Sequence, residues 1–191
     1  MYGSGSEDNY LTVIKEQRKK MLIDGEATVE IDVRASYLTI FHSLHDYKFN
    51  EGNDPYDIPG LPRDIVKTWM MMTFGAGKLP TRWSTKAAKE YRETSSKGKE
   101  LGEVYNLKTL VTPKILKAFP VLKHLTPDGI HCFDLMNRES NAVVASMLRL
   151  LRVDRVRSFS VHDWLIVKKE DLELATTGLK DADLHATCAT P

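Results

Sequence analysis

Apolar residues recur along this chain with two different periods, and the changes between them mark out its elements. From Thr28 to Val33 the alternation is strict, with Val29, Ile31 and Val33 on one side and Glu30 and Asp32 on the other. A period of two is that of a strand with one buried side, here opposed by an acidic side. Helical spacing takes over from Tyr37 to Leu44, so a helix follows the strand directly. Upstream, Leu11 to Met21 forms a basic helix carrying Lys15, Arg18, Lys19 and Lys20, and Asp24-Gly25 is a turn signal. Downstream, Gly52–Tyr56 and Ile58–Pro62 are rich in turn residues, and Pro62 prepares a helix from Arg63 to Phe74 with Gly75 and Gly77 as its stops. Ser84 to Lys99 reads as a solvated helix and a Ser/Gly/Lys loop. Thr112-Pro113 supply an N-cap and first-turn proline for a helix over Lys114–Leu125, which Pro120 ends or kinks. A long amphipathic helix covers Leu135–Leu151, and Arg155–Lys168 reads as a hairpin with His162-Asp163 in its turn. Glu170–Ala175 starts another helix, and the polar tail from Thr176 to Pro191 is expected to be loose. The resulting class is α+β: a small antiparallel sheet, one strand plus a hairpin, with helices packed on one side.

Composition narrows the function classes without choosing one. The 191 residues suit one compact domain, and 42% hydrophobic content is enough for a real core. Lys and Arg total 27 against 26 acids, a net charge of +1, so any case for nucleic-acid binding rests on local clusters. Two cysteines, Cys132 and Cys188, make no disulfide framework, which fits a cytoplasmic location. The apolar stretches are too short to span a bilayer, so no membrane partner is expected. The polar N-terminal stretch lacks the basic start and apolar run of a signal peptide and reads as a flexible lead-in. Met70-Met-Met72 reads as adaptable core packing. His131-Cys132 and His185-x-x-Cys188 make a poor zinc set, because adjacent ligands have awkward geometry and no Cys-x-x-Cys pair accompanies them.

The candidate chemistry rests on two acids far apart in the chain. If the strand of Asp32 lies beside the hairpin of Asp163, both carboxylates emerge at one edge of the sheet. Two carboxylates that close repel and are best retained with cations between them. Oxygen donors favour Mg²⁺, which takes one or two carboxylates and completes its shell with water and substrate phosphate. Read singly, each Asp also suits an ordinary turn or cap.

Six segments in order carry a resemblance that joins these acids: Val29-Glu-Ile-Asp-Val-Arg-Ala-Ser-Tyr-Leu-Thr39, Gly52-Asn-Asp-Pro-Tyr56, Arg63-Asp-Ile-Val-Lys67 with Phe74-Gly75-Ala-Gly77, Lys117-Ala-Phe-Pro-Val-Leu122, Glu139-Ser-Asn-Ala-Val-Val-Ala-Ser-Met147, and Ser160-Val-His-Asp-Trp-Leu-Ile-Val167. Together they resemble the palm and fingers of family A DNA polymerases. The resemblance implies a palm-like sheet with a helical fingers-like insertion: a lead and basic helix over 1–27, palm over 28–52 and 126–175, fingers over 53–125, and a tail over 176–191. It further implies Asp32 and Asp163 as the catalytic acids holding two Mg²⁺ ions, with Mn²⁺ as a substitute. Arg63 and Lys67 would meet the triphosphate of an incoming nucleotide, Phe74 would stack near a base, and His162 would support the primer end. The residues alone leave a solvated helix edge open for Arg63 and Lys67, core packing for Phe74 and a structural turn for His162.

This chain departs from the family pattern at several points. Tyr37 stands where the family carries a Glu that crowds the sugar 2′ position, and could itself act as a steric gate. Trp164 follows His162-Asp163 where an acid or small residue is usual, and the interval from Lys67 to Phe74 is one residue short. Thumb and exonuclease domains are expected to be missing or supplied by an accessory protein. The implied function is template-directed nucleotidyl transfer, with primer-template nucleic acid and nucleoside triphosphate as partners. The alternative is an inactive palm remnant that binds nucleic acid, nucleotide or protein, or a fragment of a larger polymerase.

Overall fold

The computed structural model describes residues 14–32, 35–48, 54–94, 98–125, 129–161 and 164–188; at Lys15, Asp32 and 182–188 it describes the backbone alone. The chain divides into two compact units, a discontinuous one of residues 1–44 with 136–191 and an inserted one of residues 45–135. Among the described residues no helix is long and apolar enough to cross a membrane.

The discontinuous unit is built on a four-stranded antiparallel sheet in the order β1-β2-β4-β3, with β1 Leu22–Ile23, β2 Glu26–Asp32, β3 Phe159–Val161 and β4 Trp164–Lys168. The expected strand and hairpin are β2, β3 and β4; Val33 lies outside the described residues. The edge strand β1 is an addition. Asp24 and Gly25 both take positive φ (53° and 84°), the conformation that closes a two-residue hairpin without splaying its strands. Asp24 is held there by Arg157 at 2.5 Å and Lys168 at 3.5 Å, which ties this turn to the far end of the sheet.

Alternation along β2 does what the sequence pattern requires. Ile31 lies opposite Leu165 and Val29 opposite Val167. These residues join one core with Val143 and Leu150, and with Ala175 and Leu179. The first two belong to α7 (Cys132–Arg149) and the turn that extends it, the last two to α8 (Leu172–Cys188). Helix α2 (Ser36–Leu44) follows β2 and packs on α8. The opposite side of the sheet is not bare, contrary to a one-sided packing. Past α1 (Lys15–Arg18), Met21 accepts a hydrogen bond from Thr28 Oγ1, and Arg18 is salt-bridged to Glu30.

Helix α8 corrects the expectation of a loose tail after Thr176. Its buried stripe of Ala175, Gly178 and Leu179 continues the helix into the core. The hydroxyls of Thr176 and Thr177 bond back to the carbonyls of Leu172 and Glu173, which lets polar residues sit inside a helix.

The inserted unit is helical: α3 (Arg63–Ala76), α4 (Thr85–Thr94), α5 (Leu101–Val104) and α6 (Thr112–Ala118), with a short 3₁₀ turn over Pro120–His124. Gly75 lies within α3, and only Gly77 stops it: at φ 63° its N–H reaches the Phe74 carbonyl while Lys78 N–H reaches that of Thr73. The start of α6 is also corrected. Thr112 is not its cap, because a wide helical turn over Leu107–Val111 runs into it and Asn106 Oδ1 caps that turn at the Thr109 N–H. Pro113 cannot donate to a carbonyl four residues back, and the wide turn before it absorbs that loss. Thr112 Oγ1 instead accepts from the indole N–H of the buried Trp69 at 3.0 Å. Pro120 does end α6, as expected.

Candidate functional site

The candidate residues fall into two groups, one in each unit. In the discontinuous unit the important fact is a register. The backbone of Asp32, the last residue of β2, pairs with Trp164, the first residue of β4. Val161 pairs with the same Trp164 from the other side, so the residues linking β3 and β4 are His162 and Asp163. Those two lie outside the described residues, and Asp32 is described by its backbone alone. At the level of the chain, then, the end of β2 stands directly across from the residue that follows Asp163. Directly opposed Cα atoms in an antiparallel pair are about 4.5–5.5 Å apart. A one-residue slip of β2 would expose Ile31 and Val29 and bury Glu30, so the core that holds these strands also fixes the end of β2 against the hairpin.

Tyr37 is the second residue of α2, three positions after the undescribed pair 33–34, and is half-buried. Beside it in sequence, Ser36 donates its hydroxyl to the Glu139 carboxylate of α7, tying the start of α2 to the helix that backs the sheet. Two residues before Asp32, Glu30 pairs with Arg18 Nε at 2.7 Å, and both side chains are mostly withdrawn from water. Arg18 was visible as part of a basic helix, but not as the partner of this strand acid. Its only sequence signal was position on an otherwise exposed helix beside an acidic strand side.

In the inserted unit, Arg63, Lys67 and Phe74 share one face of α3. At 100° per residue they fall within an arc of about 40°. Exposure changes along that face: Arg63 and Lys67 are exposed, while Phe74 is 4% exposed and packs in the interior of its unit. Arg63 is engaged. Its Nε lies 2.6 Å from Asp54 Oδ2, and its guanidinium stands 5.1 Å from the centre of the Tyr56 ring. The hydrogen bond that Arg63 donates to Asp54 pushes Arg63 still further into its charged range. Asp54 is itself set by a local turn, its Oδ1 accepting from the Tyr56 N–H at 3.0 Å. Asp54 and Tyr56 were read from the sequence as turn residues and as part of one segment of the resemblance; the pairing with an Arg nine positions on follows no spacing rule.

Among the described residues no group of three or more His, Cys, Asp or Glu side chains is placed to hold a metal ion. No protein-family model, no curated protein and no solved structure matches this chain.

Proposed function

We propose that the chain is a template-directed nucleotidyltransferase domain resembling the palm and fingers of family A DNA polymerases, extending a primer 3′-hydroxyl with nucleoside triphosphates. The observation that supports it most is the Asp32–Trp164 pairing, which sets the end of β2 beside the hairpin whose turn contains Asp163. Two carboxylates brought to that sheet edge would form an oxygen-only donor set, which suits Mg²⁺ and not the softer metals. Asp32 and Asp163 are the residues that would hold it. Bound there, paired divalent ions would neutralise charge on the attacking and leaving oxygens of an in-line phosphoryl displacement.

The remaining roles belong to the protein's own groups. Lys67 offers the triphosphate a compact cation and Arg63 a planar fork, one turn apart on the same helix face. Arg63 must first exchange Asp54 for phosphate, so the nucleotide competes with a carboxylate already in place. Phe74, buried here, supports α3 from within and has a role at a base only if that helix end opens. Tyr37 is the candidate gate at the sugar, and His162 the candidate support for the primer end.

The same Arg63–Asp54 pair favours the alternative of a remnant that binds without turnover, since an occupied arginine is a poor start for catalysis. Primer extension in Mg²⁺ or Mn²⁺ separates the two. Incorporation by the wild type that falls at least about 100-fold in Asp163→Asn is expected from the loss of a metal ligand. Equal incorporation by both proteins would eliminate the mechanism, and none by either would leave the binding module.

A further inference from the structure

The near-neutral charge of the whole chain hides a strongly basic stretch in the inserted unit. From Lys78 to Lys123 there are eleven Lys and Arg against four Glu and no Asp, so the remainder of the chain is net acidic. Each of those four acids is already engaged. Glu90 faces Lys86 at 3.9 Å, Glu93 faces Lys89 at 3.8 Å and Glu100 faces Arg92 at 4.0 Å. Glu103 accepts a hydrogen bond from the Glu100 N–H at the start of α5. Lys78, Arg82, Lys99, Lys108, Lys117 and Lys123 are exposed and have no ion-pair partner among the described residues.

Three aromatic residues meet within this stretch. The Trp83 indole N–H donates to the Tyr105 carbonyl at 2.9 Å, and the Tyr105 ring meets that of Tyr91 edge-on with centres 6.0 Å apart. Trp83 also runs close to α5, where a methyl group on Gly102 would stand 3.8 Å from its Cδ1. The loop before α4, α4 itself and the residue after α5 are thereby drawn to one aromatic cluster. All three of its residues are partly exposed, so the cluster is not closed off as core. Cations flank it along the chain: Arg82 precedes Trp83, Arg92 follows Tyr91, Lys99 stands two residues before α5, and Lys108 three after Tyr105. Burial first, then Tyr91 and Asp64, raise the Tyr105 hydroxyl above its ordinary value, so Asp64 is one acid set against those four cations.

We infer that the Trp83–Tyr91–Tyr105 cluster and the cations flanking it form a binding surface for single-stranded nucleic acid. Partly exposed rings give unpaired bases something to stack on whatever their sequence, and the cations neutralise the phosphates between them. A duplex satisfies the cations but keeps its bases stacked away from the rings. An acidic peptide likewise answers the charge and leaves the aromatic cluster unexplained. Arg92 is available to a phosphate as well, because an exposed pair as long as 4.0 Å holds it only weakly. None of these residues is assigned to nucleotide transfer, so the surface stands whether or not the chain is a polymerase.

Fluorescence anisotropy of a labelled single strand of about 15 nucleotides, titrated with the full chain in EDTA and without nucleotide, tests it. Binding is expected at about 1–100 μM in low salt, weakening as salt rises with a log–log slope of about −2, as for three neutralised phosphates. R82E/K108E is expected to weaken binding at least about 10-fold, and Tyr91→Leu at least about 5-fold, with circular dichroism unchanged. Tyr91→Phe keeps the ring and binds as the wild type does. R152E/R155E, which reverses two exposed charges of the other unit, leaves binding unchanged. So does Asp163→Asn, which separates failure of this surface from failure of the transferase reading. Binding that survives R82E/K108E or Tyr91→Leu, or an equal loss in R152E/R155E, would overturn the inference. A duplex of the same length bound at least as tightly, or no binding at about 1 mM, would do the same.

Discussion

Two ion pairs beside candidate residues, one in each unit, look alike on paper and differ in what surrounds them. Arg18 and Glu30 are 15% and 12% exposed, so neither charge can fall back on water if its partner goes. Removing Glu30 takes from Arg18 a close partner in a place with little water, a loss of up to about 3–5 kcal/mol. Glu30→Ala is therefore expected to lower unfolding stability on that scale in urea titrations; a change under ~1 kcal/mol would mean the pair is wetter than its geometry indicates. Arg63 and Asp54 are far more exposed, at 57% and 33%, so their attraction is screened and adds little to folding. What the pair does control is the availability of Arg63. In Asp54→Asn the guanidinium keeps Tyr56 beneath it but loses its carboxylate. Nucleoside triphosphate binding, read by fluorescence titration, is expected to tighten about 2- to 5-fold, the scale of one exposed ion pair. Unchanged or weaker binding would remove Arg63 from the nucleotide site.

At the scale of elements, α8 makes the sharpest demand. Leu179 is 2% exposed within the core that seats β2 against β4, so Leu179→Ala is expected to cost about 2–5 kcal/mol by calorimetry or urea titration. A loss below ~0.5 kcal/mol would return this segment to the loose tail its polarity suggests. The start of that helix, over Glu170–Ala175, was read from the sequence, but its continuation escaped because the buried stripe is made of small residues, Ala175 and Gly178, with one leucine to mark it. Elements with a strong one-sided pattern were legible: β2 by its alternation, α2 and α3 by helical spacing, the β3–β4 hairpin by two short apolar runs around a turn. Edge strand β1 has only two residues and no period to read. The beginning of α6 was misread because Thr112-Pro113 has the chemistry of a helix start, while the hydroxyl concerned was already committed to Trp69. The acids of the candidate site were legible as residue types on a strand and in a turn. The partners that restrain the site, Arg18 for Glu30 and Asp54 for Arg63, are joined by tertiary contact, which local pattern does not encode.

At the scale of the whole molecule, the chain leaves one compact unit at Leu44, builds a second, and returns at Met136. Each unit has its own buried residues, so they need not lose structure under the same conditions. Acid offers a way to separate them. His45 opens the inserted unit and stacks on His124 with ring centres 4.8 Å apart, and Tyr47 meets His124 edge-on at 5.9 Å. Burial first, and the neighbouring His124 second, hold His45 below its ordinary value of 6.5, while Asp46 pulls it weakly the other way. The sign follows from proton counts. Between the lowered folded value and 6.5 the unfolded chain binds the proton and the folded unit does not, so stability rises with pH across that window. The contribution is complete above 6.5, is lost as pH falls from there, and stops changing below the folded value. Hydrogen exchange read segment by segment, and corrected for its intrinsic pH dependence, is expected to show protection falling across residues 54–125 as pH drops from about 7.5 to 5.5. The core strands β2 and β4 belong to the other unit and carry no histidine, so their protection should fall less. His45→Gln should flatten the response of the inserted unit, because the group that titrates is gone while a polar side chain of similar reach remains. If both units lost protection in parallel, or if the variant kept the full pH response, the stacked pair would not be the element that senses acid.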